Sequence, residues 1–124
     1  MLSRRRILVA EDELIIASEL AAAVEEAGGE VVGPVASVRE ALALLGREDV
    51  HAAILDVRLV DGEVSPIAHA LLERGAVVVF HSASPVPREI TDRHGDVVIC
   101  PKPMQSDRVV YKLAVLLCPQ QRAR

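Results

Sequence analysis

The chain has 124 residues, 51% of them hydrophobic, and a formal charge of −4, which suits one domain with its own core and leaves little room for a second. One Phe, one Tyr and no Trp exclude a base-stacking surface, and the negative balance excludes a general nucleic-acid surface, so Arg4, Arg5, Arg6, Arg122 and Arg124 read as solvated ends. Two cysteines make neither a disulfide framework nor a metal motif, no apolar stretch reaches the ~18 residues a membrane span needs, and residues 1–10 lack a signal region, so a soluble cytoplasmic protein is expected.

In chain order, Arg6–Ala10 is a short apolar run that stops at the charged Glu11-Asp12-Glu13, as a buried strand ends at a polar rim. Apolar residues at helical spacing then predict a helix over 13–27, stopped by Gly28-Gly29. Val31-Val32 predicts a second strand, closed by a Gly33-Pro34 turn. Ser37, three residues before Glu40, has the spacing of a capping box for a helix running through Leu45. Ala52–Leu55 is a third strand ending in Asp56, followed by a loop over 57–63 and a helix over 65–74 closed by Gly75. Residues 77–80 form a fourth strand. Pro85 and Pro87 require any helix between His81 and His94 to be short and to start late. Residues 97–100 form a fifth strand ending at Pro101-Lys102-Pro103, and Ser106–Leu117 is a final amphipathic helix.

Strands alternating with helices imply a parallel sheet with right-handed crossovers and helices on both faces. The expectation is a single-domain, flavodoxin-like three-layer α/β sandwich over residues 1–124, its core spanning about 6–118, with sheet order 2-1-3-4-5. Polar groups end four of the five strands: Glu11 and Asp12, then Asp56, then Ser82, then Lys102. Strand two ends only in Gly-Pro, as an edge strand would, and ligands in such sheets bind at carboxyl ends where strand order reverses.

Carboxylates gathered there repel: two charges ~4 Å apart at an effective dielectric of ~20 interact by about 4 kcal/mol. Lys102 offsets part of this, and a hard divalent cation, Mg²⁺ or Mn²⁺, fits oxygen ligands and phosphate. A phosphoryl group arriving there meets neutralising charge, the Ser82 hydroxyl and Asp56 as an in-line nucleophile.

These residues resemble the receiver domain of two-component response regulators over nearly the whole chain. The motifs are Glu11-Asp12 in Val-Ala-Glu-Asp-Glu, Leu-Asp-Val around Asp56, Ser82 after Val-Val-Val-Phe, and Lys102-Pro103. The resemblance implies Asp56 as phosphoacceptor, Glu11 and Asp12 as metal-site acids, the backbone carbonyl of Arg58 as a further metal ligand, Ser82 as switch hydroxyl and Lys102 as phosphate contact. It also implies a cis Lys102-Pro103 bond. Val32-Gly33-Pro34, residues 37–42 and Phe80-His81-Ser82 resemble stand-alone alphaproteobacterial receivers, with His81-Ser82-Ala83 departing from their usual Ala-Thr-Gly. The aromatic usual three places before the lysine is Ile99 here.

The function so implied is not turnover catalysis. It is acceptance of a phosphoryl group from a histidine kinase or phosphotransfer protein, at most with weak self-phosphorylation and autodephosphorylation. The signal passes to a downstream protein, with room for a homodimer and no effector domain expected in the chain. Two alternatives compete. A phosphorylation-independent pseudo-receiver keeps the fold and drops the chemistry, while a phosphohydrolase of the haloacid-dehalogenase type needs a second acid where Arg58 stands. Simpler roles compete residue by residue: Asp12 as a helix cap, Ser82 as a loop hydroxyl, Lys102 as a surface charge, Arg58 and Asp61 as loop surface, Met104 as packing. The four histidines lack ligand spacing, and only His81 is placed to touch the site.

Overall fold

The side-chain alternation of the strands decides which face each helix covers. In the computed structural model, which describes residues 1–118, β1 (Arg6–Ala10) sends Ile7 and Val9 into one core and Leu8 and Ala10 into another. β3 (Ala52–Leu55) divides the same way, with every residue buried, because it is covered on both sides.

The remaining elements follow in order: α1 (Leu14–Glu26), β2 (Glu30–Val35) and α2 (Val38–Leu45) before β3, then β4 (Arg58–Leu59), β5 (Gly62–Glu63), α3 (Ser65–Glu73), β6 (Val77–Ser82), α4 (Arg88–His94), β7 (Val98–Pro101) and α5 (Ser106–Leu117). The five-stranded sheet is parallel with order β2-β1-β3-β6-β7. Setting aside the small β4-β5 hairpin, this is the predicted 2-1-3-4-5 order of a flavodoxin-like fold. α1 and α5 cover one face over Ile7, Val9, Ile54 and Val79, and α2, α3 and α4 cover the other over Leu8, Leu55 and Phe80.

Two departures from the sequence reading have local causes. The predicted loop over 57–63 contains an antiparallel hairpin pairing Arg58 with Glu63 and Leu59 with Gly62, too short to show a period. Strand two does not stop at Val32 but runs to Val35 through a shift in register opposite Leu8 and Ala10. Gly33 sits there at φ +99°, where a Cβ would lie 2.9 Å from the Val35 nitrogen and 3.1 Å from the Val9 carbonyl oxygen, so the break in the ladder requires glycine. Pro34 is tolerated because β2 is an edge strand.

Ser37 caps α2 as the spacing predicts, with the Glu40 amide donating to its Oγ at 3.0 Å, but the reciprocal half of the box differs, since Glu40 Oε1 accepts from the Ser37 hydroxyl at 3.1 Å and the Ala36 amide at 3.4 Å rather than from the Ser37 amide. A second cap comes from the hairpin tip, where Asp61 accepts from the amides of Val38 (2.6 Å) and Arg39 (3.1 Å). The short late helix after the prolines is α4, which begins directly after Pro87. Among the described residues, no helix is long and apolar enough to cross a membrane.

Candidate functional site

Four strand ends converge because adjacent backbones hold them level. The Asp56 amide donates to the Ala10 carbonyl at 2.9 Å, the Glu11 amide to Val35 at 2.9 Å, and the Lys102 amide to Ser82 at 3.1 Å. The acids leaving β1 and β3 therefore face the lysine leaving β7, and the Lys102-Pro103 bond is cis, as the resemblance implied.

Lys102 Nζ lies 2.9 Å from Asp56 Oδ2, 3.0 and 3.1 Å from the two oxygens of Glu11, and 3.2 Å from Glu13 Oε1. Asp56 is held at its other oxygen too, where Oδ1 accepts from the Val57 amide at 2.7 Å. Glu11 Oε2 accepts from the Glu13 amide at 3.1 Å, and Ser82 Oγ, buried, accepts from the Ser84 amide at 3.0 Å.

Burial sets the charge states. The Glu11 side chain is 1% exposed, and desolvation pushes its carboxyl up to about 7 against the lowering effect of the Glu13 amide and Lys102, with Asp56 adding to the rise. Burial also works to raise Asp56, but hydrogen bonds from Lys102, Glu11 and Ser82 outweigh it and hold the carboxyl below its ordinary value. Desolvation opposes the charge on Lys102, yet the bonds to Asp56 and Glu11 dominate and keep the ammonium above its usual range. Glu11 and Asp56 thus divide one excess of negative charge, with the proton favouring Glu11.

The donor set fits a hard cation. Carboxylate oxygens of Glu11, Asp12 and Asp56 lie within 4.8 Å of one another, and the buried Glu11 Oε1 accepts no hydrogen bond among the described residues although it lies at ion-pair distance from Lys102. Asp12 is exposed at the rim and does not cap α1, whose N-cap residue is Glu13 with no side-chain cap bond. Arg58 heads the β4-β5 hairpin two residues past Asp56 and is exposed.

Glu13 is a member of the cluster that sequence reasoning passed over, and its only signal was its place as third acid of the run 11–13. His81 is buried at the end of β6, with no hydrogen-bond partner for either ring nitrogen among the described residues. It lines a cavity of about 490 Å³ together with Ile16, Lys102 and Met104. Burial lowers its pKa, as does the neighbouring Lys102 charge. The other histidines lie elsewhere: His51 Nδ1 accepts from the Arg6 amide, and His69 meets His94 between α3 and α4. Ile99, in the place of the expected aromatic, is 47% exposed on β7.

No family model matches the chain, and no curated protein matches it in sequence. Among solved structures, SdrG from Sphingomonas melonis Fr1 is 36% identical, with 94% of this chain and 99% of that one covered at a TM-score of 0.76. The response regulator receiver domain protein (CheY-like) from Methanospirillum hungatei JF-1 is 22% identical over 98% of this chain and all of that one, at a TM-score of 0.82. The non-phosphorylated HemR receiver domain from Leptospira biflexa is 22% identical over 92% and 94%, at a TM-score of 0.78. The order of the sheet, the acids and lysine at its carboxyl edge, and these likenesses together lead to one conclusion: the chain belongs to the response regulator receiver family.

Proposed function

We propose that this receiver takes a phosphoryl group onto Asp56 from a histidine kinase or phosphotransfer protein and signals by protein contact in the cytoplasm. The observation that carries the reading is Lys102, which ties the strand-end Asp56 and Glu11 together in one buried cluster. A structural role alone would not need two acids facing one lysine at the switch point of the sheet.

Mg²⁺, or Mn²⁺ in its place, would be held by Glu11, Asp12, Asp56 and the Arg58 carbonyl, and when bound it neutralises charge on the phosphoryl oxygens. The chain's own residues do the rest. An Asp56 carboxylate oxygen attacks phosphorus, forming the new P–O bond as the P–N bond to the donor histidine breaks and its electron pair returns to the imidazole. Lys102 moves from the carboxylate to a phosphoryl oxygen, and the Ser82 hydroxyl donates to another. The product is an acyl phosphate with about −1.5 to −2 charge, enough to draw the Ser82 loop toward it. Leu14 and Ile15, 79% and 74% exposed at the start of α1, give the phosphoryl donor an apolar surface beside Glu11 and Asp12.

The chain is an acceptor rather than a turnover enzyme in this reading. The test is intact mass after incubation with Mg²⁺ and acetyl phosphate, for wild type and Asp56→Asn. A metal-dependent phosphate adduct on the wild type alone is expected. The second reading, a phosphorylation-independent interaction module, is favoured by Ile99, where the resemblance implies an aromatic that couples to the switch hydroxyl. An unmodified wild type across acetyl phosphate and a panel of kinases selects it.

A further inference from the structure

On the face of the sheet opposite α1 and α5, two histidines from different helices meet edge to edge. His69 Nδ1, on α3, lies 2.8 Å from His94 Nε2, the last residue of α4, and the rings are tilted at 42° with centroids 5.0 Å apart, so nitrogens rather than ring faces oppose each other. Both residues are partly exposed, and the contact between the rings is partly buried. We propose that His69 and His94 form a binding site for a borderline transition-metal ion of the Zn²⁺ class, separate from the acidic cluster at Asp56, which clips α4 onto α3.

Three observations support the assignment. Imidazole nitrogens are the preferred ligands for such ions, and two Zn–N bonds of ~2.0–2.1 Å at a tetrahedral angle need the nitrogens about 3.3 Å apart, an opening of about 0.5 Å from the observed contact. The other nitrogen of His69, Nε2, lies 4.0 Å from Glu89 Oε1, too far for a hydrogen bond but near enough for this exposed carboxylate to swing in behind a ligating imidazole, where such a group fixes the tautomer and raises the basicity. Finally, α4 has few other anchors: Ile90 is its one buried residue, and Arg93 pairs with Glu73 of α3 at the surface. Water or a partner's side chain would complete the coordination. The segment preceding α4 begins at Ser82, so a metal that fixes α4 restrains the backbone on the exit side of the phosphoacceptor site.

The experiment is calorimetric titration of the full chain with Zn²⁺ in saturating Mg²⁺, which occupies the acidic cluster, with Cys118→Ser as background to remove the partly exposed thiol. One Zn²⁺ per chain is expected. His69→Gln and His94→Gln should each remove one of the two protein ligands and weaken binding by more than about 10-fold, and the double variant should bind no stoichiometric Zn²⁺. Acetyl phosphate labelling of Asp56 in both variants, measured without Zn²⁺, should match the parent and shows that they fold. In Co²⁺-loaded protein, the imidazole NMR signals of these two rings should shift first. No stoichiometric Zn²⁺ in the parent, or equal binding in the double variant, overturns the proposal and leaves the pair as an imidazole hydrogen bond.

Discussion

Lys102 Nζ stands 2.9 Å from Asp56 Oδ2 and 3.0 Å from Glu11 Oε1, with the lysine side chain 14% exposed and the carboxylates buried more deeply. Removing the lysine leaves two acids with no cation between them, and the loss of one partner from a buried ion pair costs about 3–5 kcal/mol. Lys102→Met should therefore lower the unfolding free energy measured with urea in EDTA by that order and abolish labelling by acetyl phosphate. Adding Asp56→Asn should restore most of the stability and none of the labelling. A single variant as stable as wild type without metal would mean that the cluster is solvated rather than coupled.

Glu11 makes metal binding depend on pH. Its folded carboxyl titrates near 7 against an ordinary value of 4.5, so the native state holds a proton that the unfolded chain releases. Metal-free stability from this group is complete below 4.5 and is lost as pH rises through about 7. A cation needs the carboxylate form, so Mg²⁺ affinity should climb as pH approaches 7, with about one proton released per ion, and level off above it. Calorimetry in buffers of different ionisation enthalpy measures that proton directly. An affinity flat across this range, or unchanged in Glu11→Gln, would remove Glu11 from the metal site.

What was legible in the sequence follows from burial. β1, β3 and β6 are covered on both faces and read as unbroken apolar runs, and a charged residue directly after such a run marks a strand's carboxyl end, which is how Glu11, Asp12 and Asp56 could be found. Lys102 follows the half-exposed edge strand β7 and was legible from the Pro101-Lys102-Pro103 stop after that strand's apolar run. What could not be read were contacts between separated segments with no period of their own: the Asp61 cap on α2, 22 and 23 residues away, and the His69–His94 contact across 25 residues. The Glu13 bond to Lys102 was hidden because Glu13 is exposed and looks like any solvated acid at a helix start.

Two caps act on successive amides at the start of α2, with Ser37 taking that of Glu40 and Asp61 of the hairpin taking those of Val38 and Arg39. Ser37→Ala should cost about 1 kcal/mol, the usual loss for an N-cap hydroxyl. Asp61→Ala should speed hydrogen exchange at the Val38 and Arg39 amides, which it accepts from directly, and change exchange in α5 little. Those two bonds also hold the Asp61 carboxyl below its ordinary value, so its contribution is present above that value and disappears as pH falls through the lowered one. Uniform exchange across both helices would show that the hairpin does not cap α2.

Phe80 separates packing from chemistry. It is the one Phe of the chain, fully buried in β6 two residues before Ser82, and it packs in the core beneath α2, α3 and α4 rather than in the acidic cluster. Phe80→Ala should cost about 3–5 kcal/mol in chemical denaturation, the range for an aromatic removed from a packed core. Phe80→Leu keeps most of the volume, should cost less than about 1.5 kcal/mol, and should label with acetyl phosphate at close to the wild-type level. Ile99→Ala, on the half-exposed face of β7, should change stability by less than about 0.5 kcal/mol. If Phe80→Leu folds normally but no longer labels, the core beneath β6 helps set the position of Ser82 and the phosphoacceptor site cannot be treated as a rigid strand-end cluster.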